Sequence, residues 1–390
     1  MSVVWLFYAR CLRGGHEAPA VTMSLTGADC HCRSLFTIGA CGPERSAPKN
    51  SKEKSLRQAI SLLFQARNGA DISIIQNLNT ISKFLPSSYI VHTRQSSQRV
   101  RSYVPYIPCR IHVYSKEEIS HCLDKRFLIT GNVLKIAFVG DSMVRNLMEK
   151  MVVDLKEVLN LTVAGDTGVD LDVVFLNDKM RHMFPVEGKG LELKLHWSAE
   201  LGKNSSNVFD RVVYQGARDI LVDWSEKIDN PKFIHEVPNI IYFDNGMWSS
   251  SMRPEIVALD SVYSDYKDLF PVLKKLASNS LLLLRTQTPM KEYLAKLTMP
   301  NGALDLMNNI GWFALNNSGV WIWDTPTPYY LREYNDCYSI WRAMRNASPP
   351  SWACMDYQHP SRMAEAVADN MIWNFVCNKI MEISQDHCCS

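Results

Sequence analysis

The serine of the stretch Gly140-Asp141-Ser142 is placed where a serine could act as a nucleophile. It follows the apolar run Lys135–Gly140, which is typical of a buried strand, and it opens an amphipathic segment at Ser142–Leu159. Gly140 permits a tight turn between the two. Ser142 would then lie at a helix N-terminus, where free N–H groups and the helix dipole favour an oxyanion. The alternative is that Asp141 or Ser142 only caps the helix.

A nucleophilic serine needs a base, normally a histidine, and a third group that orients the imidazole. Of the 10 histidines in the chain, only His359 has an aspartate three residues before it, Asp356. In a turn, this spacing lets the carboxylate reach the imidazole. The alternative is an aspartate that caps the next helix and a histidine on the surface. We predict that Ser142, His359 and Asp356 form a catalytic triad.

Further donors for an oxyanion are predicted after the apolar run NIIYF. The side-chain amide of Asn245 and the backbone N–H of Gly246 would join the N–H of Ser142 around the developing charge. A plain turn is an equal alternative, because Asn-Gly is the commonest turn dipeptide. Three residues are candidates for substrate contact, Trp248 and Trp197 for stacking on a sugar ring and Arg145 for steering an acidic group. Packing is the alternative for both tryptophans, and pairing with a carboxylate is the role that we favour for Arg145.

The elements that must position these residues alternate along the chain after Cys109. Near-continuous apolar strands separated by helices predict an α/β fold, in which helices cover both faces of a central, mainly parallel sheet. In such sheets reactive groups gather at the carboxyl ends of strands, and Ser142 follows one of them. The predicted strands are Lys135–Gly140, Asp172–Leu176, Leu191–Trp197, Asn239–Asn245, Leu281–Thr286 and Val320–Thr325. The predicted helices are Ser142–Leu159, Tyr263–Ala277, Ala303–Ile310 and Ser361–Ile383.

Composition divides the chain into three segments. We predict a poorly structured tail over 1–55, a helical or extended lead-in over 56–104 and the catalytic domain over 105–390. The formal net charge of +2 argues against nucleic acid as a partner. No uninterrupted apolar run reaches the roughly 18 residues that predict a membrane span. The apolar stretch Val3–Ala9 lacks the preceding basic region of a signal peptide.

The 11 cysteines and the sequons bear on the cellular compartment. Cysteines within 105–390 are open to two interpretations, buried thiols or the disulfides of a secretory protein. The pair Cys30 and Cys32 lacks a second ligand pair at zinc-finger spacing, so we expect no metal site there. Four Asn-X-Ser/Thr sequons favour a secretory protein, and they begin at Asn160, Asn204, Asn316 and Asn346.

The stretch VGDSMVRN at Val139–Asn146, together with the DYQH at Asp356–His359, resembles the SGNH/GDSL superfamily and in particular its PC-esterase branch. That branch includes plant polysaccharide O-acetyltransferases and the luminal N-terminal domain of animal sialate O-acetyltransferases, to which the chain is more similar. The similarity covers about residues 105–390. It implies a flavodoxin-like three-layer α/β/α fold, with Ser142 as nucleophile, His359 as base and Asp356 as the partner that orients His359.

The same resemblance implies a serine-dependent O-acetyltransferase or O-acetylesterase that acts on glycans, above all sialic-acid-type sugars, through an acetyl-enzyme. Its partners would be a carbohydrate or nucleotide-sugar substrate and a membrane acyl-donor component, in the Golgi lumen or secretory pathway. The triad itself needs no cofactor, whereas a transferase would use an acetyl donor derived from acetyl-CoA.

Two departures from the family and one rival function accompany the resemblance. Tyr357 and Gln358 stand where the family often has Gly-Leu, although both are spacer positions. The sialate enzymes carry a multi-span membrane region after this domain, whereas the sequence ends at Ser390, which shifts our expectation toward a plain hydrolase. The rival function is a catalytically silent glycan-binding module on the same fold.

Overall fold

The computed structural model describes residues 32–33, 35–37, 109–164, 185–198, 216–244, 255–288, 290–291, 301–344, 354, 358–360 and 362–390. Its strands are β1 (Leu134–Gly140), β2 (Thr162–Val163), β3 (Val186–Gly188), β4 (Leu191–Trp197), β5 (Ile240–Phe243), β6 (Leu281–Arg285) and β7 (Trp321–Trp323). Its helices are α1 (Lys116–Thr130), α2 (Ser142–Leu155), α3 (Ala217–Lys227), α4 (Glu255–Leu276), α5 (Asn301–Ala314), α6 (Thr327–Ala343) and α7 (Arg362–Cys377). A short 3-10 helix at Ile234–Glu236 precedes β5.

The strands form one seven-stranded sheet in the order β2-β3-β4-β1-β5-β6-β7. The strands β4, β1, β5, β6 and β7 are parallel, and β3 and β2 extend the sheet antiparallel at the β4 edge. Numbered along the chain, the five parallel strands lie in the spatial order 2-1-3-4-5, which is the flavodoxin-like arrangement. The connections leave β1 in opposite directions, so this arrangement opens a crevice at the carboxyl ends of β1 and β5. The predicted α/β fold with a mainly parallel sheet is confirmed.

Helices cover both faces of the sheet and create two apolar cores. Alternate strand residues point to opposite faces. Ile136 and Phe138 join the core that packs against α1, α2 and α7. Ala137 and Val139 join the other core, which packs against α3, α4 and α5. Helices on both faces explain why the parallel strands are apolar at nearly every position.

The predicted elements agree with the structure wherever the structure describes them. Five of the six predicted strands correspond to β1, β4, β5, β6 and β7, and the predicted helices correspond to α2, α4, α5 and α7. The predicted strand Asp172–Leu176 lies outside the described residues. The sequence did not predict α1, α3, α6 or the short strands β2 and β3.

A short piece of the segment 1–55 packs against the domain. Phe36 is buried, with its ring centroid 5.3 Å from that of Trp323. The backbone carbonyl of Phe36 accepts two N–H groups that directly follow β7. Cys32 forms a disulfide with Cys389. Residues 32–33 and 35–37 therefore join the core around β7 and the C-terminal end of the chain.

Four disulfides join the described cysteines. They are Cys32–Cys389, Cys109–Cys388, Cys122–Cys377 and Cys337–Cys354. Three of these bonds fasten earlier parts of the chain to α7 or to the residues after it. Four disulfides are typical of secreted or luminal proteins, because oxidising compartments preserve such bonds. Within the described residues, no helix combines the length and the hydrophobicity that a membrane crossing requires.

Candidate active site

The turn between β1 and α2 exposes Ser142 and uses Asp141 as the helix cap. Asp141 has extended backbone dihedrals, and its Oδ1 accepts the N–H of Met143 at 2.8 Å. The carbonyl of Asp141 accepts the N–H of Arg145 at 3.1 Å. Ser142 is the first helical residue. Capping is therefore the task of Asp141, and the hydroxyl of Ser142 is directed to a different partner.

That partner is His359, which approaches from the segment before α7. The distance between Ser142 Oγ and His359 Nε2 is 2.7 Å, although the two residues are 217 positions apart in the sequence. Nε2 accepts the hydroxyl hydrogen when the ring carries its proton on Nδ1. Both side chains are partly exposed, so solvent and substrates can reach them. The structure thus brings together two of the three predicted triad residues.

The carboxyl edge of the parallel sheet is lined by buried polar residues. Each parallel strand is directly followed by one of them: Ser198 after β4, Asp141 after β1, Asp244 after β5, Thr286 after β6 and Asp324 after β7. Burying polar groups costs free energy unless they are hydrogen-bonded, so such a row is rarely accidental. It lies where ligands bind in open parallel sheets.

Arg145 lies one turn after Ser142 and is held in place by two neighbours. Its Nε lies 3.0 Å from Glu149 Oε1, in an i,i+4 ion pair on α2. Its guanidinium carbon lies 5.7 Å from the ring centroid of Trp197. Trp197 is itself buried at the end of β4. These contacts make Arg145 part of the packing between α2 and β4.

A buried ion pair connects the first turn of α2 to α7. Arg285, the last residue of β6, donates from one guanidinium nitrogen to the carbonyl of Met143. Its other terminal nitrogen lies 3.1 Å from Glu365 Oε1, and the two side chains are only 3% and 2% exposed. Burial raises the pKa of the Glu365 carboxyl, and the positive charge of Arg285 opposes that rise. The pair fixes the backbone next to Ser142 relative to the helix that follows His359.

Sequence reasoning missed both members of this pair. Arg285 carried one signal, a charged residue at the end of the run LLLL, where an apolar strand would be expected to continue. Glu365 carried none, since a glutamate near the start of a helix is ordinary.

Four predicted site residues, Asp356, Asn245, Gly246 and Trp248, lie outside the described residues. The triad aspartate, the additional oxyanion donors and the aromatic substrate contact are therefore proposals that rest on the sequence.

The described geometry can perform nucleophilic chemistry. A hydroxyl in hydrogen-bond contact with an imidazole can lose its proton as it attacks an electrophile. Ser142 also stands at the N-terminus of α2, where the helix dipole favours negative charge. An electrophile that becomes anionic on attack, such as an ester carbonyl, suits both features.

Comparison with known proteins gives little further guidance. No protein-family model matches the sequence, and no curated protein is significantly similar to it. One solved structure, described as the crystal structure of an acetyl xylan esterase, AlAXEase, matches over 62% of this chain and 98% of its own. The two share 15% sequence identity, with a TM-score of 0.33. No conclusion about activity follows from so weak a likeness.

Proposed function

We propose that this chain is a serine esterase or acyltransferase that works through an acyl-enzyme intermediate. The observation that carries the proposal is the 2.7 Å contact between Ser142 Oγ and His359 Nε2 at the carboxyl edge of the sheet. Chain packing alone does not require a serine and a histidine so distant in sequence to meet there. A nucleophile and its base do require this proximity.

In the first half-reaction, His359 Nε2 takes the hydroxyl proton while Ser142 Oγ bonds to the carbonyl carbon of an ester. The carbonyl π electrons move to the oxygen, which becomes an oxyanion. When the oxyanion collapses, the bond to the alcohol breaks and the imidazolium returns the proton to the leaving oxygen. In the second half-reaction, water or a sugar hydroxyl loses a proton to Nε2 and attacks the acyl carbon, and Ser142 leaves and regains a proton.

The supporting groups are also part of the proposal. The backbone N–H of Ser142 at the start of α2 would donate to the oxyanion, together with Asn245 and Gly246. Asp356 would accept the Nδ1 proton of His359 and hold the tautomer in which Nε2 is basic. Asn245 and Gly246 directly follow Asp244, the first residue after β5, which is the strand next to β1.

For the substrate we propose an acetylated or acetyl-accepting glycan, of the sialic-acid type. The resemblance of VGDSMVRN and DYQH to the PC-esterase branch supports this choice, and the four disulfides agree with a luminal location. Trp248 would stack on the sugar. A transferase would also need an acetyl donor derived from acetyl-CoA and the membrane component that delivers it.

The test is turnover of 4-nitrophenyl acetate by the purified protein, followed by O-acetylated sialic acid with product analysis by mass spectrometry. We expect turnover by the wild type, none by Ser142→Ala and an unchanged rate for Ser278→Ala. Ser278 is an exposed serine just after α4, and its hydroxyl donates to the carbonyl of Lys275 in the last turn of that helix at 2.7 Å. If the folded wild type turns over no ester, the protein is better explained as a silent glycan-binding module.

A further inference from the structure

A second buried ion pair contacts the backbone of the residue that we propose as the base. Lys291 Nζ lies 3.1 Å from Glu333 Oε1, and the side chains are 5% and 11% exposed. The same ammonium donates a hydrogen bond to the carbonyl oxygen of His359 at 2.7 Å. Lys291 therefore connects a carboxylate on α6 to the main chain of His359.

His359 needs such a support because no regular element holds it. It lies before the start of α7, in irregular backbone closed by Pro360. Neither a helix nor a strand ladder fixes its position there. A hydrogen bond from a charged donor is about twice as strong as one between neutral groups, and burial protects it from water.

The charge of Lys291 is itself supported. A buried ammonium is costly unless a counter-charge lies close, and Glu333 supplies that charge from a helix. The segment after β6, the helix α6 and the segment before α7 thus meet at a single ammonium group. A displacement of any one of them would move the carbonyl, and with it the imidazole of His359.

We propose that Lys291, held by Glu333, is a positioning residue that fixes His359 at hydrogen-bond distance from Ser142. The inference rests on the proposed function and extends it to two residues outside the triad. Lys291 does not touch the reacting atoms. Its effect is on the fraction of molecules in which Nε2 can receive the proton.

The first experiment compares ester turnover by wild type and by Lys291→Met, which keeps the length of the side chain and removes its charge and donor. We expect kcat to fall by roughly 10- to 100-fold with KM little changed, because misplacing a catalytic group by about 1 Å can cost that much. Lys291→Arg keeps the charge and should recover part of the rate. The control Lys135→Met breaks an ion pair at the opposite end of β1, whose Nζ–Oε2 distance is 3.5 Å, and should leave kcat unchanged.

A double variant separates positioning from folding. Lys291→Met takes away the positive charge that pairs with Glu333, whereas Lys291→Met/Glu333→Leu removes both charges and should regain stability. We expect the double variant to melt close to wild type and still to have the lowered kcat. A double variant with wild-type kcat would overturn the inference, since the lysine would then matter only for folding.

A crystal structure of Lys291→Met keeps the inference testable if the proposed function fails. We expect Ser142 Oγ and His359 Nε2 to separate beyond hydrogen-bond distance. If they stay at the 2.7 Å of the wild type, the positioning role is wrong whatever the activity. If the wild type turns over no ester but the two atoms separate in Lys291→Met, the proposed function is contradicted and the positioning role of Lys291 is supported.

Discussion

The carboxyl group of Asp244 lies against the backbone of Gly140, and no side chain fits between them. A Cβ on Gly140 would come 2.3 Å from Asp244 Oδ1 and 3.1 Å from Val144 Cγ2. Gly140 also has a φ of 151°, which residues with side chains rarely adopt. Glycine is therefore required at the end of β1, where the chain turns into α2 beside the end of β5. The position of Ser142 depends on that turn.

We predict that Gly140→Ala lowers both stability and turnover. Forcing in a methyl group should cost about 1–3 kcal/mol of unfolding free energy and displace Ser142 from His359. Urea denaturation and ester turnover measure the two effects. Gly131→Ala is the matched control, because Gly131 has a φ of 69° at the end of α1 but no atom within 4 Å of the added Cβ. Gly131→Ala should lose about 1–2 kcal/mol of unfolding free energy from backbone strain and keep normal turnover. Normal turnover by Gly140→Ala would contradict the prediction.

The pair of Arg285 and Glu365 predicts a large loss of stability on removal of one partner. Glu365→Gln takes the carboxylate that contacts it away from the buried guanidinium of Arg285, which should cost about 3–5 kcal/mol in urea denaturation. The control Asp229→Asn removes a carboxylate that is 74% exposed in its pair with Lys275 and should cost less than about 1 kcal/mol. Equal losses of unfolding free energy in the two variants would show that the buried pair stabilises the fold no more than the exposed pair does.

A buried carboxyl on α7 predicts that stability depends on pH. Burial raises the pKa of Asp369 from 3.8 to about 7, Lys150 opposes the rise and Asp154 adds to it. The folded protein thus retains a proton that the unfolded chain releases. The contribution of Asp369 to the free energy of unfolding is therefore greatest below about pH 4 and is lost as pH rises toward 7. In Asp369→Asn, the fall in unfolding free energy between pH 4 and pH 8 should be smaller than in the wild type by up to about 4 kcal/mol, as measured by urea denaturation. A pH dependence of stability in Asp369→Asn equal to that of the wild type would refute the prediction.

For His196 we predict that stability depends on pH with the opposite sign. Burial, with a smaller effect of Lys194, lowers the pKa of its imidazole from 6.5 to about 3, and its ring centroid lies 5.1 Å from that of Trp224. The unfolded chain binds the proton first, so stability is lost as pH falls from about 6.5 toward 3. His196→Leu should reduce that acid-side loss in thermal melts between pH 4 and 7. If His196→Leu loses as much thermal stability as the wild type when pH falls, the prediction for His196 is wrong.

The sequence allowed prediction of what depends on local pattern. The five parallel strands were predicted because they are continuous apolar runs, and Ser142 and His359 because a few residue types can act as nucleophile and base. Helix α6 was missed since its tyrosines, asparagine and cysteine are modest helix formers, and packing together with the Cys337–Cys354 disulfide supports it.

Long-range contacts could not be predicted from one sequence. Arg285 and Glu365 are 80 residues apart, and only the order of strands and helices brings them together. The same is true of Lys291 and His359, which are 68 residues apart. Phe36 lies in a segment without periodicity, and its burial depends on the space beside Trp323. Such partners follow from tertiary packing, which local pattern does not encode.

The central claim is that His359 activates Ser142, and active-site labelling tests it most directly. Wild type, His359→Gln and His196→Leu would be treated with a fluorophosphonate at neutral pH, and the modified residue mapped by peptide mass spectrometry. We predict an adduct on Ser142 in wild type and in His196→Leu, and a labelling rate at least roughly 100-fold lower in His359→Gln. An adduct on another serine, or equal labelling of Ser142 without His359, would contradict the claim.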